Sequence, residues 1–139
     1  MKIQLASDLH LEFLERKLPG ERLVLPSPDA DVLVLAGDIA QGTRAIELFA
    51  DVAVPVIYVA GNHEFYGREW GPTRAELRAA ARGTNVHFLD DDEVVVAGVR
   101  FLGSTLWTDF RLPGTLQSAA MRAVERGLMD YSVISGACQ

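Results

Sequence analysis

The 139-residue sequence has one cysteine, three histidines and few aromatics, and nowhere an apolar run of the ~20 residues needed to cross a bilayer. Each scarcity excludes something. Cys138 has no second cysteine to pair with, so there is no internal disulfide, which suits a reducing cytoplasm. The first residues enter a strand-like pattern without an apolar signal region, so export is not expected and a cytoplasmic location is the expectation. Thirteen basic residues against nineteen acidic ones give a net charge of −6, which opposes binding of a long polyanion. Neither nucleic acid nor membrane is therefore an expected partner. A small phosphorylated substrate fits better, because cations in a site supply positive charge locally. The length fits a single domain over 1–139, with no repeats, low-complexity tracts or linkers.

What is present is an alternation of short apolar runs and helical patterns. Residues 2–7 (KIQLAS) read as a strand, and 11–31, rich in Pro, Gly and charge, read as a connection with little regular structure. The unbroken run Val32, Leu33, Val34, Leu35, Ala36 has the character of a central strand covered on both faces. A helical stripe of Ala45, Leu48, Phe49 and Val52 follows, then a third strand over 54–60. A second helix is expected over 72–82, with Pro72 in its first turn and Gly83 as its stop. Short strands are expected at 86–89 and 93–97, the latter pairing with 99–104 across Ala97-Gly98 as a hairpin. Residues 116–128 look helical. This order predicts an α/β fold with a parallel sheet at its heart.

Three of the strands end in metal-capable side chains: Asp8-x-His10, Gly37-Asp38 and Gly61-Asn62-His63. Strand ends of a parallel sheet lie along one edge, where ligand sites form in the crevice. Alone, each cluster is ordinary turn chemistry, with Asp or Asn capping a bend. Their occurrence in order, each directly after an apolar strand, is what points to a site. Carboxylates, an amide oxygen and imidazoles form a mixed oxygen and nitrogen donor set, suited to manganese, iron or zinc. Gly37 and Gly61 would let backbone approach closely without a clashing Cβ.

The ordered set SDLHLEF, VLAGDI, YVAGNHEFYG and FLGSTLWTDF resembles the calcineurin-like metallophosphoesterase superfamily over roughly residues 1–110. The resemblance implies a metallophosphoesterase-like sheet core flanked by helices, and a phosphoric ester hydrolase with two divalent metal ions and a bridging hydroxide. It implies that Asp8 and His10 bind the first metal, that Asp38 bridges both, and that Asn62 binds the second through its amide oxygen. His63 would sit beside the phosphate of a small phosphomonoester or phosphodiester, stabilising the transition state or protonating the leaving oxygen. Two cations about 3.5–4 Å apart clamp a phosphoryl group and lower the pKa of a bridging water, which is the chemistry such a set serves.

The sequence also departs from that family. The later histidine and the Gly-His-x-His that normally complete the site do not occur, and His87, inside VHFL, reads as structural or surface. The expectation is a chain missing the C-terminal half of the fold, weakly active or inactive alone, with sheet surface open to homodimerisation. The alternative is a non-catalytic binding or scaffolding module with a degenerate metal site, distinguished by whether a Gly-His-x-His is encoded downstream of Gln139. Ile39, Ala40 and Gln41 after Gly-Asp, and Ala60 before Gly61, do not support phosphoprotein specificity. Phe65, Tyr66, Trp70 and Trp107 are candidate pocket linings, although such aromatics more often serve a core or rim. The acidic run over 90–93 reads as a solvated turn, and Asp109 as structural.

Overall fold

The computed structural model describes residues 1–111 and 114–136, apart from the side chain of Thr115. Cys138 lies outside them. In chain order the elements are β1 (Ile3–Ala6), α1 (Leu11–Leu14), β2 (Val32–Ala36), α2 (Arg44–Phe49), β3 (Val56–Val59), α3 (Trp70–Ala81), β4 (Val86–Phe88), β5 (Asp92–Val96), β6 (Val99–Gly103), α4 (Gln117–Gly127) and α5 (Asp130–Val133). Strands β1 to β4 form one parallel sheet in sequence order, while β5 and β6 form a separate antiparallel hairpin. The α/β architecture with a parallel sheet flanked by helices is thus the one the sequence predicts.

Alternation along β2 and β3 sorts their side chains between two cores. Leu33, Leu35, Val56 and Tyr58 join Ile46, Phe49 and Leu77 in the larger, helix-covered one. Val32 and Ile57 face the other way, with Leu89, and meet Val94, Val96 and Phe101 of the hairpin. Both faces of β2 are therefore covered, which explains its unbroken apolar run. Strand β1 differs: Ile3 is 51% and Leu5 67% exposed, so one face of this edge strand meets solvent.

Three local differences from the sequence reading have physical causes. The segment 11–31 is not wholly irregular, because Leu11 is buried and a short α1 forms around it. Helix α3 begins two residues before Pro72, which the first turn accepts because its N–H groups have no intrahelical partner. The acidic run is not all solvated. Asp90 is 6% exposed and lies between Arg74 at 2.7 Å and Arg78 at 2.6 Å, both on α3.

Candidate metal centre

The site grows from the ends of β1, β2 and β3. Past the strands, the β1 and β2 loops stay paired: Asp8 N donates to Gly37 O at 3.1 Å, His10 N to Asp38 O at 3.0 Å, and Leu11 N to Ile39 O at 2.8 Å. Asp8, His10 and Asp38 all have φ near +50°, left-handed backbone that non-glycine residues rarely adopt. Such strain concentrates at functional sites.

The β2 and β3 loops are joined by a side chain to which the sequence reading gave no role. Glu64 is fully buried and accepts four hydrogen bonds. Its Oε2 takes the N–H groups of Asp38 at 3.1 Å and Gly61 at 2.7 Å. Its Oε1 takes Ile39 N–H at 2.8 Å and the Tyr58 hydroxyl at 3.0 Å. Burial pushes the Glu64 carboxyl above the usual carboxylate range, and the bonds from Ile39, Gly61 and Tyr58 pull the other way. Four donors converging on two oxygens leave no place for a proton, so the geometry is that of a carboxylate. Tyr58 is raised well above an ordinary phenol by its own burial and by the Glu64 charge. The glycines let loop pack on loop. A Cβ on Gly61 would strike Asp38 Oδ1 and lie 2.8 Å from Asp38 N, and one on Gly37 would meet Gly61 Cα at 3.1 Å.

On this frame His10, Asp38 and His63 each bring a donor atom within 4.8 Å of the others. The two imidazoles meet edge to face, with centroids 4.3 Å apart. Asp38 Oδ1 accepts the His63 backbone N–H at 3.0 Å. Glu12, also absent from the sequence-derived set, sets its Oε1 3.1 Å from His63 Nδ1 and 3.5 Å from His10 Nδ1. His10 Nδ1 and Glu12 Oε2 are buried without a hydrogen-bond partner. Unpaired buried atoms of this kind cost about 1–3 kcal/mol each, and a cation among them would remove that cost. Imidazoles with carboxylates are also a donor set that divalent transition metals take. The residues present therefore fit a metal.

Asp8 is not one of these three. The Asp8 side chain is exposed. Asn62 Nδ2 donates to Asp130 Oδ1 at 2.9 Å and to the Tyr66 hydroxyl at 3.2 Å. The Tyr66 hydroxyl itself donates to the same Asp130 oxygen at 2.6 Å, and its ring stacks on His63 at 4.1 Å. Burial, then the Asp130 carboxylate, pushes the Tyr66 hydroxyl up to about 12. Asp130 carried no signal in the sequence, because its partners lie more than sixty residues away. Beyond Asn62 opens a cavity of about 550 Å³ whose wall includes Gly37, Gly61, Thr105, Trp107 and Asp130. Of the other candidate aromatics, Phe65 is buried and Trp70 packs between it and Trp107.

Known proteins resemble this chain in sequence and in fold. The sequence pattern of the calcineurin-like phosphoesterase family matches residues 1–115. The acyl-carrier-protein phosphodiesterase PptH of Mycobacterium tuberculosis is 33% identical over 135 residues, covering 92% of this chain and 37% of the relative. The crystal structure of phosphopantetheinyl hydrolase PptH from Mycobacterium tuberculosis superposes with a TM-score of 0.68 over 99% of this chain and 56% of that one, at 21% identity, a likeness of fold. The chain thus spans little more than a third of that curated relative. With the ordered strand-end motifs converging as described, this chain belongs to the calcineurin-like phosphoesterase family.

Proposed function

We propose that the chain carries the metal-binding part of a phosphoric ester hydrolase of the dinuclear type, acting in the cytoplasm on a small phosphomonoester or phosphodiester. The observation that carries this reading is the convergence of His10, Asp38 and His63 donors within 4.8 Å at the ends of three parallel strands. In it Asp8, His10 and Asp38 would hold one ion, and Asp38 with the Asn62 amide oxygen would serve a second. Manganese, iron and zinc all suit this donor set. When bound, such ions supply Lewis acidity toward the phosphoryl oxygens and lower the pKa of the attacking water.

The chain's own residues do the positioning. Glu64 fixes the loops that bear Asp38 and Asn62. His63, held through its backbone by Asp38 and through Nδ1 by Glu12, has its Nε2 left to serve a leaving oxygen as proton donor. The name of the curated relative favours a phosphodiester over a monoester. No Gly-His-x-His occurs in the 139 residues, so slow turnover or none is expected of this chain alone. The open face of β1, with Ile3 and Leu5 exposed, is where a homodimer contact would form.

The test is calorimetric titration with manganese and zinc, alongside hydrolysis of bis(p-nitrophenyl) phosphate and p-nitrophenyl phosphate. Asp38→Ala should abolish metal binding while the fold persists. Absence of binding by the wild-type chain, or binding indifferent to Asp38→Ala, would overturn the reading. His63→Asn tests whether His63 is also a ligand: manganese binding retained in the folded variant leaves it the proton donor, and binding lost makes it a ligand.

A further inference from the structure

We propose that Asp130 is a positioning residue for the site: it fixes the Asn62 amide with its oxygen free for a ligand and holds Tyr66 against the His63 ring. This rests on the reading of Asn62 as a metal ligand. The side-chain amide of an asparagine can present either its oxygen or its NH2 to a neighbour, and only the oxygen coordinates a cation. Something must therefore choose. An ionised carboxylate accepts hydrogen bonds and donates none, so an amide 2.9 Å from Asp130 Oδ1 is forced to turn its NH2 toward it. The same NH2 meets the Tyr66 hydroxyl, whose own proton goes to Asp130. Both amide protons are thereby engaged, and the carbonyl oxygen takes no hydrogen bond among the described residues.

The carboxylate is a built part of the fold. Asp130 is 6% exposed, a degree of burial rare for an aspartate without partners. Its segment is laced to the loop that follows His63: Gly67 N donates to Val133 O at 2.8 Å, Trp70 N to Ser135 O at 2.8 Å, and Ser135 N to Arg68 O at 3.0 Å. A parallel bridge pairs Glu69 with Ser135. Backbone bonds on the loop after Tyr66 thus deliver a side chain to Asn62 from 68 residues further along the chain. Through Tyr66 the same carboxylate reaches His63, since the phenol ring lies nearly flat on the imidazole at an interplanar angle of 24°.

The experiment measures manganese affinity by calorimetry and by the electron paramagnetic resonance of the free ion, on the whole chain and its variants, with thermal melts as the folding control. Asp130→Leu should weaken Asn62-dependent binding about 10–100-fold, the usual effect of losing a residue that orients a ligand. Asp130→Asn keeps an acceptor oxygen for the same two donors and should restore most of the affinity. Asn62→Leu separates the two readings. If it leaves manganese binding unchanged, Asn62 is no ligand and the inference falls with that reading. If it weakens binding while a folded Asp130→Leu does not, or if Asp130→Asn is as damaging as Asp130→Leu, the positioning role alone is overturned. Should Asp130→Leu fail to fold, nuclear magnetic resonance of the wild-type chain without metal decides. Asn62 side-chain NH2 protons protected from solvent exchange support the inference, and unprotected ones overturn it.

Discussion

The two sides of the site are held by different means. Around Asp38 the grip is on the backbone: Glu64 takes the N–H groups of Asp38, Ile39 and Gly61, and the Gly61 Cα packs on the Asp38 carboxylate. Around Asn62 the grip is on side chains, with two donors meeting one Asp130 oxygen. The first arrangement fixes where the loops run. The second fixes which way a functional group faces once the loops are in place. Loss of the first should cost the fold, whereas loss of the second should cost the metal and spare the fold.

The strongest way to break this contrast is Glu64→Leu. It strands the N–H groups of Asp38, Ile39 and Gly61 and a buried phenol, each costing about 1–3 kcal/mol, so a loss of about 4 kcal/mol or an unfolded chain is expected in urea denaturation. Asp130→Leu, whose former donors remain near solvent, should cost only about 1 kcal/mol. Equal losses would erase the distinction between the two sides. Gly61→Ala comes next, because its Cβ collides with Asp38 Oδ1. Overpacking of this kind costs about 1–3 kcal/mol, and displacement of Asp38 should weaken manganese binding about tenfold in the same titration. Affinity unchanged in a folded Gly61→Ala chain would mean that the tight packing on Gly61 is not what sets Asp38.

The smallest effect belongs to a pair remote from both sides. Arg44, then Thr43, holds the Glu47 carboxyl below the usual carboxylate range. A depressed acid stabilises the fold above its unfolded pKa of about 4.3 and loses that contribution as pH falls through its lower folded value. The pair is exposed, so screening limits the effect to a few tenths of a kcal/mol. Glu47→Gln should therefore lower the melting point slightly near neutral pH and match the wild type well below about pH 3. A gap that widens in acid would reverse the assigned sign.

How much was legible in the sequence follows the same division. Strand ends announce themselves by an apolar run stopping at a polar pair, so the place of Asp38, Asn62 and His63 at strand ends was legible, and so was the parallel sheet. The hairpin was legible from Ala97-Gly98 between two alternating runs. Asp90 was not, because its burial depends on Arg74 and Arg78 lying on a helix that packs over the strand before it. Glu64 sits inside the Gly-Asn-His-Glu motif, yet its donors come from two segments, 38–39 and 58–61, and no local pattern encodes the first. Glu12 and Asp130 failed for the same reason. Spacing fixes neighbours along the chain and not the direction of an exposed side chain, so the sequence does not say how close Asp8 comes to His10, Asp38 and His63.

The distance in sequence between Asn62 and Asp130 also orders events in time. Every strand of the parallel sheet precedes residue 89, so His10, Asp38 and His63 are all made well before Asp130. A ribosome adding about 5–20 residues per second delivers Asp130 roughly 2–8 s after β4 has been synthesised. In that interval the emerging chain has His10, Asp38 and His63 but not the carboxylate that meets the Asn62 amide. On the proposed reading, metal would be met first at the His10 side, and the Asn62 side would wait for Asp130.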